Sequence, residues 1–158
     1  MNEIDLSAQG TEEPSWAPAL AAFAEAALAR LGADRRELSI VLADDETIRG
    51  YNRDWRGKDA PTDVLSFVQD EGEAVPAGEG EAVPLGDLVI SLPTVERNAR
   101  EYGVPFEQEL KRVTVHGLLH LLGHDHPGDD WDSGMLKTQE ELLEALGDVS
   151  VTESHGTD

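Results

Sequence analysis

The sequence predicts a single α+β domain, a small mixed β-sheet packed by helices. Three observations predict it. Short apolar runs rich in Val, Ile and Leu occur at 37–43 (ELSIVLA), 64–68 (VLSFV) and 88–91 (LVIS), each of strand length. Segments with helical spacing of apolar residues lie among these runs and after them. Several links between the runs lack room for a full helical crossover, which argues against a uniformly parallel sheet. A chain of 158 residues fits one domain and buries a real core.

In order, residues 1–13 read as a disordered acidic tail. Ser15 is placed to cap a helix that starts near Trp16, and Trp16, Leu20, Phe23, Ala27 and Leu31 follow at helical spacing until Gly32 ends it. The run 37–43 is the first strand, and Asp44-Asp45 offers a cap for a short helix holding Ile48, Tyr51 and Trp55. The run 64–68 is the second strand. Residues 70–84 read as a mobile acidic loop, because EGEAVP occurs at 71–76 and again at 79–84, too few copies for a solenoid. The third strand is 88–91. A helix over 93–102 is broken by Gly103, and Pro105 opens the next, 106–122, with Leu110, Val113, Gly117 and Leu121 along one stripe. The last helix spans 133–146 and stops at Gly147; 148–158 read as a frayed, disordered tail. The domain proper is then 14–147.

Composition excludes several classes. No apolar run is long enough to span a bilayer, and the acidic N-terminus lacks the basic start and apolar stretch of a signal peptide, so the chain reads as cytoplasmic with no membrane partner. With no cysteine, neither a disulfide framework nor a thiolate metal site is available. The net charge of −21, from 33 acidic and 12 basic residues, describes a solvated acidic surface, with adaptation to high salt as the sharper alternative. Such a body repels nucleic acid at long range.

Four of the five histidines fall in HGLLHLLGHDH, residues 116–126. His116 and His120 are four apart, so on a helix they differ by roughly 40° around the axis and one turn along it. Gly123 lets the chain leave the helix, and His126 follows on the turned segment. Two ligands from a helix and one from the chain folding back leave a fourth position open on a tetrahedral ion, the pattern of a catalytic site. Three imidazoles favour one zinc per chain, although nickel or cobalt would fit them. His124 is an alternative to His126, and Asp125 is placed to orient a ligand ring. The metal site thus belongs to a helix and the turn after it. Zinc proteases of the HExxH type carry a glutamate general base directly after the first histidine. Here that position is Gly117, so the constellation points to a metal hydrolase without that mechanism.

HGLLHLLGHDH closely resembles the signature of the YbeY family, bacterial rRNA maturation factors described as metal-dependent endoribonucleases. NRDWRGKDAPTDVLSF (52–67) and LGDLVIS (85–91) resemble two further family segments in the expected order, and the three together span about 38 to 127. The resemblance implies metal ligation by His116, His120 and His126 and a functional role for Arg56. It implies a single-strand-specific endoribonuclease acting on the 16S rRNA precursor in 3′-end maturation and ribosome quality control. The partners it implies are proteins of the small ribosomal subunit and a ribosome-assembly GTPase. The chain departs from the signature at His124, where a tyrosine is usual, and in the duplicated EGEAVP loop.

Arginine suits phosphate because its planar fork reaches two oxygens at once, so the resemblance gives Arg56 the work of holding the transferring group. From spacing alone Arg56 reads instead as a surface ion pair with Asp54 or Asp59. Asp87 reads equally as the start of a strand or as a turn residue, with no catalytic role assigned to it. Arg49, Arg53, Arg56 and Lys58 sit in one short stretch, with Arg97, Arg100, Lys111 and Arg112 elsewhere, enough for a local basic groove. No aromatic-rich stacking platform is visible, so RNA binding is expected to be weak and led by phosphate. The alternatives are a ribosome-assembly binding factor with a structural metal and a metal-dependent hydrolase of another substrate.

Overall fold

The computed structural model describes residues 2–68, 83–123 and 129–152, with the backbone alone for 129–133. The elements are β1 (Glu3–Gln9), α1 (Ala17–Arg30), β2 (Arg36–Ala43), α2 (Asp45–Arg56), β3 (Val64–Val68), β4 (Val83–Ser91), α3 (Leu92–Tyr102), α4 (Phe106–Leu122) and α5 (Asp129–Ala145). The strands form one sheet in the order β1-β2-β4-β3. β1 and β4 flank β2 in parallel, and β3 runs antiparallel to β4 at the edge. The α+β class and the mixed sheet are as the sequence predicts.

Alternation along the strands divides their side chains between two faces. Leu38, Ile40, Leu42, Leu88 and Ile90 join Phe23 and Leu28 of α1 and Leu110 and Leu118 of α4 in the main core. Ala43, Leu65 and Val89 meet Ile48 of α2 in a smaller cluster on the other face. Helices therefore cover both faces, α1 and α4 on one and α2 on the other.

The N-terminal segment differs from its expected reading as a tail. Residues 3–9 form β1, paired in register with β2 from Glu3↔Glu37 to Gln9↔Ala43. Ile4 and Leu6 pack against the main core. Asn2 locks the entry: its Nδ2 donates to Glu25 and to the Ala33 carbonyl, and its Oδ1 accepts from Arg36 N. The acidic composition concealed a short alternation of Ile4, Leu6 and Ala8 that only a partner strand makes useful. Ser15 is not the helix cap; Trp16 holds that position without a side-chain cap bond. β4 and α5 begin earlier than expected, at Val83 and Asp129. At the other end, Val151 is 1% exposed, and Glu107 accepts from the backbone N–H groups of Val151 and Thr152, so this part of the expected C-terminal tail is docked. Most of the EGEAVP loop and residues 153–158 lie outside the described residues.

Candidate functional site

The site is built on α4, α2 and the β3–β4 pair. α4 buries Val113, Leu118 and Leu121 and comes close to the sheet at Gly117. A Cβ at Gly117 would sit 2.7 Å from Leu88 Cδ2 and 3.3 Å from Val64 Cγ2. Position 117, where the HExxH proteases keep their glutamate, thus faces packed sheet and has no space for a carboxylate. The missing general base has a packing cause.

His116 and His120 are half-buried on another side of the same helix. Their rings meet edge to face with centroids 4.5 Å apart, and their Nε2 atoms lie 3.1 Å from each other. His116 Nδ1 lies 2.9 Å from Oε1 of Gln139 on α5, which is 3% exposed. An amide oxygen only accepts, so His116 Nδ1 carries the proton and its Nε2 keeps a lone pair. Fixing one ring nitrogen so that the other is a free base is how ligating histidines are prepared.

The two described histidines have the spacing of zinc ligands. Tetrahedral zinc with Zn–N bonds of about 2.0–2.1 Å spaces its ligand nitrogens by roughly 3.3–3.4 Å, and the observed 3.1 Å is close to that edge. His126, the expected third ligand, lies outside the described residues, with His124 and Asp125. Among the described residues no group of three or more His, Asp or Glu is placed to hold an ion. Gly123 occupies the C-cap of α4 with φ −117°, so the chain leaves the helix without the left-handed turn.

Arg56 ends α2, on the opposite face of the sheet from α4. Asp44 caps this helix through Thr47 N at 2.9 Å. Asp45 accepts from Ser91 Oγ at 2.7 Å and Thr94 Oγ1 at 2.6 Å and pairs with Arg97 at 2.8 Å, tying α2 to the β4–α3 junction. Burial pushes the Asp45 carboxyl up, but the bonds from Arg97, Thr94 and Ser91 outweigh it and hold the group below its ordinary value. The expected ion pairs of Arg56 do not form: Asp54 binds Arg53 at 3.1 Å and Asp59 binds Arg49 at 2.7 Å. Among the described residues Arg56 has no acidic partner and no hydrogen bond to either histidine. It lines a cleft of about 850 Å³ with Tyr51, Trp55, Phe67, Asp87 and Val89.

Ser66 of the edge strand β3 links the two parts. It lines this cleft, and its Oγ donates to the Gly117 carbonyl of α4 at 3.2 Å. Asp87 stands on the cleft side, where burial raises its carboxyl above the ordinary value against a hydrogen bond from Ser39. The basic groove that the sequence suggested is largely neutralised: besides Arg49 and Arg53, Arg97 pairs with Asp45, Arg100 with Glu96, and Arg112 with Glu109 and Asp63. Sequence reasoning missed Gln139, whose signal is a lone amide in an otherwise ordinary amphipathic helix, and the aromatic lining of the cleft. Among the described residues no helix is long and apolar enough to cross a membrane.

The chain is similar to known proteins along most of its length. The family model described as Endoribonuclease YbeY matches residues 5–147. An Endoribonuclease YbeY of Bacillus cereus is 47% identical over 117 residues, covering 72% of this chain and 75% of the relative. One from Pelotomaculum thermopropionicum is 50% identical over 113 residues, covering 72% and 74%. The solution structure of TM1509 from Thermotoga maritima shares the fold with a TM-score of 0.63 at 29% identity, over 91% of this chain and 89% of that one. Matched along most of its length by the family model and by relatives at about half identity, the chain belongs to the YbeY endoribonuclease family.

Proposed function

We propose that this endoribonuclease is zinc-dependent, cuts single-stranded RNA, and matures the 3′ end of 16S rRNA in the cytoplasm as part of ribosome quality control. The observation that carries the zinc is the His116 pair: Gln139 fixes the tautomer on one side, and His120 stands 3.1 Å away on the other. His116 and His120, with His126, would hold the ion, which when bound supplies Lewis acidity toward a phosphoryl oxygen and an attacking water. The chain's own residues supply the rest. Gln139 holds the His116 ring in the ligating tautomer. Arg56, without an acidic partner among the described residues, offers its guanidinium to a backbone phosphate of the strand. Ser66 and Gly117 keep α4 close against the edge strand, so that an RNA strand crossing β3 meets both the cleft and the histidines.

A second reading has its own observation. The charge of −21 and the internal pairing of Arg49, Arg53, Arg97, Arg100 and Arg112 favour basic protein partners over naked RNA, as in an assembly factor with a structural metal. The small-subunit proteins and the assembly GTPase that the family resemblance implies are compatible with both readings. Incubating the zinc-loaded chain with a 16S rRNA fragment carrying the 3′ precursor, next to Arg56→Ala, separates the two. We expect cleavage by the parent and a rate about a hundred-fold lower for the variant, the usual effect of removing one stabilising donor. Absence of cleavage by the parent, with equal binding of both proteins to small-subunit particles, would establish the assembly-factor reading instead.

A further inference from the structure

We propose that the cleft beside α2 is a nucleobase-stacking subsite for single-stranded RNA, with Trp55 as its stacking surface and Arg56 as its phosphate clamp. This rests on the endoribonuclease reading and adds a base-binding element to it.

Trp55 is 71% exposed, although it belongs to a helix that is otherwise well anchored. It is not loose. Its ring stands edge-on to Phe67 at 6.2 Å and 70°, and Phe67 in turn meets Tyr51 at 6.1 Å and 55°. Tyr51 is itself held, its hydroxyl donating to Gln9 Oε1 at 2.8 Å. Two of the three aromatics share α2 at a four-residue spacing, and the third comes from β3. Phe67 supports the indole, and most of the Trp55 side chain stays open to solvent. A single exposed aromatic is ordinary on a protein surface. An exposed indole held by Phe67, which Tyr51 supports in turn, beside a cleft of about 850 Å³, is a stacking platform.

Charge selects the occupant and its orientation. Arg56, beside Trp55, has no counter-ion among the described residues, while its neighbours Arg49 and Arg53 are held by Asp59 and Asp54. An exposed guanidinium at the rim attracts phosphate. Asp87, half-buried opposite Phe67 in the β3–β4 register, repels phosphate and accepts hydrogen bonds from amino groups. A nucleotide satisfies both when its base enters the cleft and its phosphate stays at the rim. The exocyclic amino group of cytosine is a donor for Asp87, and uracil has none. The subsite is therefore selective for amino-bearing bases over uracil.

The test is fluorescence anisotropy with 2′-O-methyl hexamers, checked for intact length after each titration: oligocytidine, oligouridine and an abasic ribose-phosphate hexamer. Each is titrated against the zinc-loaded parent, Trp55→Ala and Trp55→Phe. Trp55 is exposed, so neither substitution threatens the fold. We expect oligocytidine to bind Trp55→Ala about ten-fold more weakly than the parent, as loss of one stacked base does. Trp55→Phe should stay within about three-fold, since a phenyl face still stacks. The parent should prefer oligocytidine to oligouridine and to the abasic chain. Equal affinity of parent and Trp55→Ala, or of the parent for abasic and base-bearing chains, overturns the subsite and leaves the endoribonuclease reading standing. Failure of the parent to bind any hexamer, together with failure to cut the precursor fragment, overturns both.

Discussion

His120→Ala is expected to empty the chain of zinc and to remove ribonuclease activity with it. The parent should carry about one zinc ion per chain, read by metal analysis after dialysis, and the variant none. His120 Nε2 stands 3.1 Å from His116 Nε2, and no other described residue takes its place. Gln139→Leu should give a graded version of the same loss. The side chain is buried and its oxygen accepts from His116 Nδ1 at 2.9 Å. Removing such an orienting partner costs about 10–100-fold in metal affinity, while Gln139→Glu, which keeps the acceptor, should retain it. A readout independent of activity is the His116 ring in the zinc-free chain, by nitrogen-detected NMR. The Nδ1-protonated tautomer should dominate in the parent and be lost in Gln139→Leu. Full zinc occupancy in His120→Ala would show that the ion, if used, is held elsewhere.

Gly86→Ala is expected to destabilise the fold by about 3–5 kcal/mol, the sum of overpacking and a strained backbone. Gly86 has φ +149°, and a Cβ there would fall 2.4 Å from the Phe67 carbonyl oxygen and 2.8 Å from Leu121 Cδ2. The obstructing oxygen belongs to the backbone of the neighbouring strand, so it cannot rotate away. The position also follows the register shift of the β2–β4 pairing, where Glu37 pairs with Pro84 and Leu38 with Gly86. Gly32→Ala is the control: φ is +82°, but nothing lies within 4 Å of the added carbon. It should cost only the left-handed penalty of about 1–2 kcal/mol. Urea denaturation compares the two. Because Leu121 adjoins His120 on α4, Gly86→Ala should also weaken zinc binding, whereas Gly32→Ala should not. Similar midpoints for both variants would mean that β4 yields easily at this point.

What local periodicity encodes was legible in the sequence. The strands at 37–43 and 64–68 and the helix at 106–122 came from apolar spacing, and the pairing of His116 with His120 followed from that helix alone, because four residues make about one turn. The α+β class could be read from how those strand and helix periods alternate along the chain. The rest depended on which distant segments the fold brings together. β1 looked like an acidic tail because Ile4 and Leu6 have value only against β2 and α1, and parallel pairing needs the whole crossover helix first. Gln139 lies 23 residues from the histidine it orients, so no spacing rule points to it. The basic residues suggested a groove until the tertiary arrangement set an acid beside most of them. Tyr51, Trp55 and Phe67 form a cluster only because β3 takes the sheet edge under α2. Helical and strand periods repeat over a few residues and are written in the chain, while burial of apolar surface acts between surfaces and is settled only when strand order and crossovers place them in contact.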